Sequence, residues 1–103
     1  MIKKNYKATH SINREIQKDL QNYLYKLIEA RIRKGETIDY LQVFNLYILN
    51  KNGTEVQQII HEQEKPKYLK VHYKNDIIHL KHGITIWVID DGPFFTMMFP
   101  KDY

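Results

Sequence analysis

Apolar side chains recur every three or four positions between Ile16 and Ile32, and beyond Gly35 the spacing shortens to every second position. In the first stretch Ile16, Leu20, Tyr23, Leu24, Leu27 and Ile28 follow the i, i+3, i+4, i+7 rule, and Ile32 extends the stripe. The spacing predicts one helix from about Asn13 to Lys34. Ser11 or Asn13 can cap its start. Gly35 stops it after the basic last turn Arg31, Arg33 and Lys34, which suits the negative end of the helix dipole. The face opposite the stripe is charged, so this helix lies on something. Residues 1–10 read as a short strand or an arm.

The alternating stretches read as three hairpins. "YLQVFNLYIL" (40–49) and "TEVQQIIHE" (54–62) flank Lys51-Asn52-Gly53, which suits a three-residue loop with Gly53 in the left-handed position. That register sets Phe44, Leu46 and Ile48 on one face beside Val56, Gln58 and Ile60. "KPKYLKVHYK" (65–74) and "IIHLKH" (77–82) turn around Asn75-Asp76, with Pro66 opening the first strand, where proline is tolerated. "ITIWVI" (84–89) and "FFTMMF" (94–99) turn at Asp91-Gly92. The expected fold is therefore α+β in a single domain, residues 1–103. One long N-terminal helix packs on a twisted antiparallel sheet of five to six strands in hairpin order.

The third hairpin is apolar on both faces. Ile84, Ile86, Val88, Phe95, Met97 and Phe99 share one; Trp87, Ile89, Phe94 and Met98 share the other, where only Thr85 and Thr96 are polar. A helix is about 10–12 Å across, whereas five or six strands spaced about 4.8 Å apart make a sheet over ~20 Å wide. One helix cannot cover even one face of such a sheet laid flat. Either the sheet curls around the helix, or the second face meets a partner.

Composition narrows the chemistry. The 103 residues include no cysteine, which removes disulfides, zinc knuckles and thiol catalysis. The aromatic content of 13% argues against disorder. The basic start "MIKKNYKATHSIN" has no apolar run behind it, unlike a signal peptide. No apolar run approaches the ~20 residues of a membrane helix, so a cytoplasmic protein is expected. The net charge of +4 is concentrated in residues 65–82, where five lysines face Asp76 alone.

Nucleophilic catalysis is poorly provisioned. Ser11, the sole serine, sits where a helix cap is expected, and its neighbour His10 is adjacent in sequence, which is not triad geometry. Asp90 and Asp91 point to opposite faces of a strand end, and Asp before Gly is what a tight turn requires. Around Asn75-Asp76, His72 faces His79. Two imidazoles without a third ligand make a thin metal site, so no metal or cofactor is expected. The same register places Lys70, His72, Lys74, His79 and Lys81 on one face, with Lys65 and Lys67 leading in and Tyr68 among them. Clustered lysines of this kind suit phosphates or an acidic partner. They also discourage edge-to-edge aggregation.

Three segments, "DYLQVFNL" (39–46), "IIHEQEKPKY" (59–68) and "VIDDGPFFTMMFPKDY" (88–103), resemble the family of domain of unknown function 960, small proteins of staphylococci and related Gram-positive bacteria. The resemblance implies a cytoplasmic, single-domain bacterial protein and supplies no catalytic residues. The combined expectation is a non-enzymatic module of regulatory or inhibitory kind. It binds a protein, or a second copy of itself, through Trp87, Ile89, Phe94 and Met98. The alternative is nucleic-acid binding through Lys65, Lys67, Lys70, His72, Lys74, His79 and Lys81.

Overall fold

The computed structural model describes residues 5–78 and 83–103. Six strands form one sheet: β1 (Asn5–Ala8), β2 (Leu41–Lys51), β3 (Thr54–Gln63), β4 (Tyr68–Lys74), β5 (Ile84–Asp90) and β6 (Phe94–Met98), in the spatial order β1-β6-β5-β2-β3-β4. The architecture is α+β, as the periodicity implies. Two of the expected connections differ. β1 pairs with β6 in parallel, so the sheet is mixed and not purely antiparallel. The hairpin of residues 65–82 does not form among the described residues: β4 pairs with β3 alone, Ile77 and Ile78 leave the strand, and the expected pairing of His72 with His79 falls outside the described residues.

The expected single helix is two, α1 (His10–Glu15) and α2 (Lys18–Arg33), separated by extended backbone at Ile16 and Gln17. No proline or glycine marks the break. The spacing hides it, because Ile12, Ile16, Leu20, Leu24 and Ile28 recur every four residues straight through it and are all buried. Gln21 Nε2 donates to the carbonyl of Ile16, and Gln17 Nε2 donates to the carbonyl of Ile78, so two side chains hold the bend. The start lies at Thr9, not at Ser11 or Asn13: Thr9 Oγ1 accepts from the N–H of Ile12. At the other end Gly35 takes the left-handed conformation expected of it, with φ of 78°.

Asp102, in a 3-10 turn at Pro100–Asp102, pins the C-terminal end of the chain to the start of α1. Its carboxylate accepts from the hydroxyls of Thr9 and Ser11 and from the N–H of Phe99. Desolvation opposes the charge, but these three donors and Lys101 hold Asp102 below the usual carboxylate range. Ser11 is thus spent on an anchor.

α2 fills the concave side of the sheet, and both edge strands reach it. On one flank the Tyr6 ring of β1 lies 4.3 Å from that of Tyr25; on the other, Arg31 stacks on Tyr68 of β4 at 3.6 Å and Lys74 Nζ sits 4.8 Å from the Tyr23 ring. Six strands can contact one helix on both flanks only if the sheet curls around it. Phe44, Leu46, Ile59, Ile86, Val88, Phe95 and Met97 close on Leu20, Leu24 and Ile28 in between.

The β2–β3 register corrects the expected one. Lys51 pairs with Thr54, leaving the two-residue loop Asn52-Gly53, with φ of 53° and 82°. Two left-handed residues form the turn whose twist matches a hairpin, and Asn-Gly is its favoured sequence. Shortening the loop by one residue flips the face of β3. Gln57, Ile59, His61 and Gln63 are therefore buried, and Val56, Gln58 and Ile60 point outward. In the last hairpin the turn is Gly92-Pro93, one position later than Asp91-Gly92, closed by Asp91 N–H to the carbonyl of Phe94. The faces of that hairpin are the expected ones.

This register makes a direct prediction. Ile59→Ala should cost about 3 kcal/mol, as for a buried aliphatic truncation, while Ile60→Ala costs under ~1 kcal/mol. Urea denaturation of the two variants checks it; a larger loss at Ile60 would restore the three-residue loop.

Candidate functional site

Among the described residues no α-helix lies on the convex face of the sheet. Outward positions form rows across the strands, and the central one runs Met98, Trp87, Val43, Glu62, Leu69. A neighbouring row runs Thr85, Asn45, Ile60, Val71. Trp87, Ile89, Phe94 and Met98 all lie on this face, as expected, and all four are half-buried. Tyr103 supplies part of the cover, its ring edge-on to Trp87 at 6.0 Å, and Lys7 Nζ lies 4.5 Å from the Phe94 ring. Away from that corner the face is open: Leu69 is 57% and Tyr73 51% exposed.

One polar chain crosses the apolar rows. Thr85 Oγ1 donates to Asn45 Oδ1 at 2.7 Å, and Asn45 Nδ2 donates to Glu62 Oε2 at 3.2 Å. Glu62 is thereby held upright among Val43, Ile60 and Leu69, and no cation pairs with it among the described residues. Beside it a hollow of about 240 Å³ is lined by Leu41, Val43, Asp39, Glu62 and Glu64. The convex face therefore has an apolar field with one acidic pole.

The basic residues are disposed differently from the expected ribbon. Lys70, His72 and Lys74 do share a face with Tyr68, but it is the concave one, toward α2. Opposite them on β3 stand His61, Ile59 and Gln57. Lys74 is engaged by Tyr23 and by Asp76 at 3.4 Å. Burial first, and Lys70 second, lower the pKa of His72, which favours its neutral form. Lys65 and Lys67 lie exposed in the turn before β4; His79 and Lys81 are outside the described residues. It is the apolar back of β4, with Leu69, Val71 and Tyr73, that joins the convex face.

A buried polar cluster closes the open end of the concave side, and the reading from sequence missed it. Arg31, 5% exposed, donates from Nε to Glu36 at 2.8 Å and from Nη1 to Gln42 and Gln63 at 3.2 and 3.0 Å. His61 Nε2 lies 2.7 Å from Gln42 Oε1. An amide oxygen only accepts, so His61 carries its proton on Nε2 and leaves Nδ1 bare, buried and without a partner. Burial, with the charges of Arg31 and His72 adding to it, pulls His61 down to about 3. The signal that could have found the cluster is the Asn-Gly turn, which sets the parity that brings His61 and Gln63 inside.

Nothing in this cluster assembles chemistry. The imidazole has no carboxylate to orient it and no nucleophile to activate, and the guanidinium is neutralised by Glu36. Among the described residues no group of three or more His, Asp or Glu is placed to hold a metal ion. Asp90 and Asp91 serve the turn: Asp90 Oδ1 accepts from the N–H of Gly92, and Asp91 Oδ2 accepts from the hydroxyl of Thr96.

Residues 5–102 match DUF960, described as a staphylococcal protein of unknown function. The chain belongs to this family. No curated protein matches it. The family member shares its fold with a crystal structure of a protein of unknown function from Enterococcus faecalis, at a TM-score of 0.80 and 18% identity, over 100% of this chain and 98% of that one. No helix among the described residues is long and apolar enough to cross a membrane.

The buried imidazole sets a pH dependence. Unfolded, His61 takes up a proton near 6.5; folded, it resists until about 3. Its contribution to stability is therefore complete above pH 6.5 and is lost as the pH falls toward 3, a change on the order of 5 kcal/mol. The thermal midpoint of the wild type should fall steeply through this window. His61→Gln, which keeps a donor for Gln42 and cannot titrate, should flatten the slope. Identical slopes would show that other groups carry the acid lability.

Proposed function

We propose that this DUF960 protein is a non-enzymatic binding module whose convex sheet face docks one segment of a partner protein, apolar along its length and carrying a lysine or arginine that meets Glu62. The observation that carries this reading is a carboxylate with no cation partner among the described residues, oriented by Asn45 and Thr85, on a face that the described residues cover only in part. A partly exposed apolar patch on one domain is a common mark of an interaction surface, and a charge within it sets which partner fits. A second copy of this chain is a poorer match. Its identical face brings another Glu62, and its lysines stand at the corners, Lys7 beside β6 and Lys51 at the β2–β3 turn. Nucleic acid is poorer still, because His72 and Lys74 face the helix.

The test uses three variants of the whole chain. Glu62→Lys and Trp87→Lys alter half-exposed positions, so both should stay folded by circular dichroism. Both should lose a partner that wild type captures from host lysate, while Lys65→Glu with Lys67→Glu keeps it. Cross-linking from Leu69 should then map to a segment with a basic residue flanked by apolar ones. A nuclease-sensitive partner, an acidic cross-linked segment, or a doubled mass in ultracentrifugation would each overturn the proposal. Unfolding of Trp87→Lys alone would mean that the residue is structural, and Glu62→Lys would still decide the question.

A further inference from the structure

β1 is an edge of the sheet, and among the described residues no strand lies beyond it. In a parallel pair alternate residues turn both backbone groups toward the neighbouring strand. The N–H groups of Asn5 and Thr9 donate to the carbonyls of Pro93 and Met97. By that alternation Asn5, Lys7 and Thr9 face β6, and the N–H and C=O groups of Tyr6 and Ala8 face away from it. Unpaired edge groups of this kind are a template for another strand.

A cleft of about 340 Å³ runs between this edge and α2. α2 presents Lys18, Gln21, Tyr25 and Lys26 to it. Gln21 is 1% exposed; its Nε2 is committed to the carbonyl of Ile16, while its Oε1 is buried with no hydrogen-bond partner among the described residues. A buried acceptor left in this state is costly and is relieved by any donor that enters. The charge in the cleft is positive. Glu29, its one carboxylate, is engaged by Arg33 at 3.7 Å and by the Tyr6 side chain. Neither Lys18 nor Lys26 has an ion-pair partner among the described residues.

We propose that this cleft takes an extended acidic segment of another protein, added as a seventh strand alongside β1. A peptide backbone offers alternating donors and acceptors to Tyr6 and Ala8, and its N–H groups are donors of the kind that the Gln21 side-chain oxygen lacks. A nucleic-acid backbone offers phosphate acceptors and leaves that carbonyl unmatched. Strand addition beside a helix is an established recognition mode in which the backbone supplies affinity and side-chain contacts supply selectivity. Here the selectivity lies in spacing. Lys18 and Lys26 are eight residues apart on a helix, about 12 Å. Carboxylates four residues apart on an extended peptide are separated by about 13 Å. The convex face plays no part in this contact, so the two surfaces can be occupied together.

The experiment titrates the intact protein into a short fluorescein-labelled peptide of alternating valine and threonine carrying two glutamates four residues apart. Fluorescence anisotropy reads affinity, and backbone amide shifts locate the contact. Tyr6, Ala8 and Gln21 are expected to shift. Replacing the glutamates by lysines, methylating the peptide nitrogens that face β1, or making Lys18→Glu with Lys26→Glu should each weaken binding by about tenfold or more. Peptide methylation leaves the protein untouched, so misfolding cannot imitate that result. Binding indifferent to all three changes, shifts confined to Val43 and Trp87, or no binding at about 1 mM would each overturn the inference. The Glu62→Lys variant should bind this peptide unchanged, which separates failure here from failure at the convex face.

Discussion

A single helix must fill the concave side of a six-stranded sheet, and the rest of the molecule follows from how that is managed. A helix is about 10–12 Å across and a flat six-stranded sheet more than twice as wide. The sheet therefore wraps until β1 and β4, at opposite edges, both touch α2 through Tyr6 and Tyr68. Wrapping explains why both flanks of α2 are used as well as its apolar stripe. Tyr25 and Gln21 serve one flank and Tyr23 and Arg31 the other. It also explains the bend at Ile16 and Gln17, since a straight helix from residue 10 to 33 would run past the curve.

The two ends of such a wrap are where apolar packing runs out, and each is finished with polar groups. At one end the Arg31 guanidinium ties α2 to β2, β3 and the start of β4 through Gln42, Gln63 and Tyr68. Asp102 does the same job with less burial, fastening the last turn to the first helix. A buried arginine with satisfied donors adds little net stability over an apolar substitute, but removing one partner is expensive. Its value here is positional, because it holds the β3–β4 edge against the helix. His61 sits beside that charge, and burial first, with Arg31 second, favours its neutral form.

A strongly curled sheet also has a convex side with no second layer, and here that side is apolar around Glu62. The two surfaces proposed for binding, the convex face and the β1 edge, are the two places where wrapping leaves groups unmatched. Among the described residues, one lacks full apolar cover and a counter-charge, and the other lacks a neighbouring strand and a donor for Gln21.

By itself the sequence determined the class and the apolar faces of α2 and of the last hairpin. The helical stripe from Ile16 to Ile32, the turn glycines and the alternation in 84–99 were all legible, because local geometry imposes periods of 3.6 and 2 on any chain. For the same reason Trp87, Ile89, Phe94 and Met98 could be placed on a common face. Three things were decided only by the tertiary structure. The parity of β3 hung on whether Lys51 belonged to the turn, a single residue that exchanges Ile59 and His61 for Ile60 and Val56. The placing of β5 beside β2, and of β1 parallel to β6, depends on long-range pairing that leaves no local mark. The break in the helix is invisible to a stripe that continues with the same four-residue step on both sides of it. Periodicity records which side of an element is apolar, and only packing decides what that side meets.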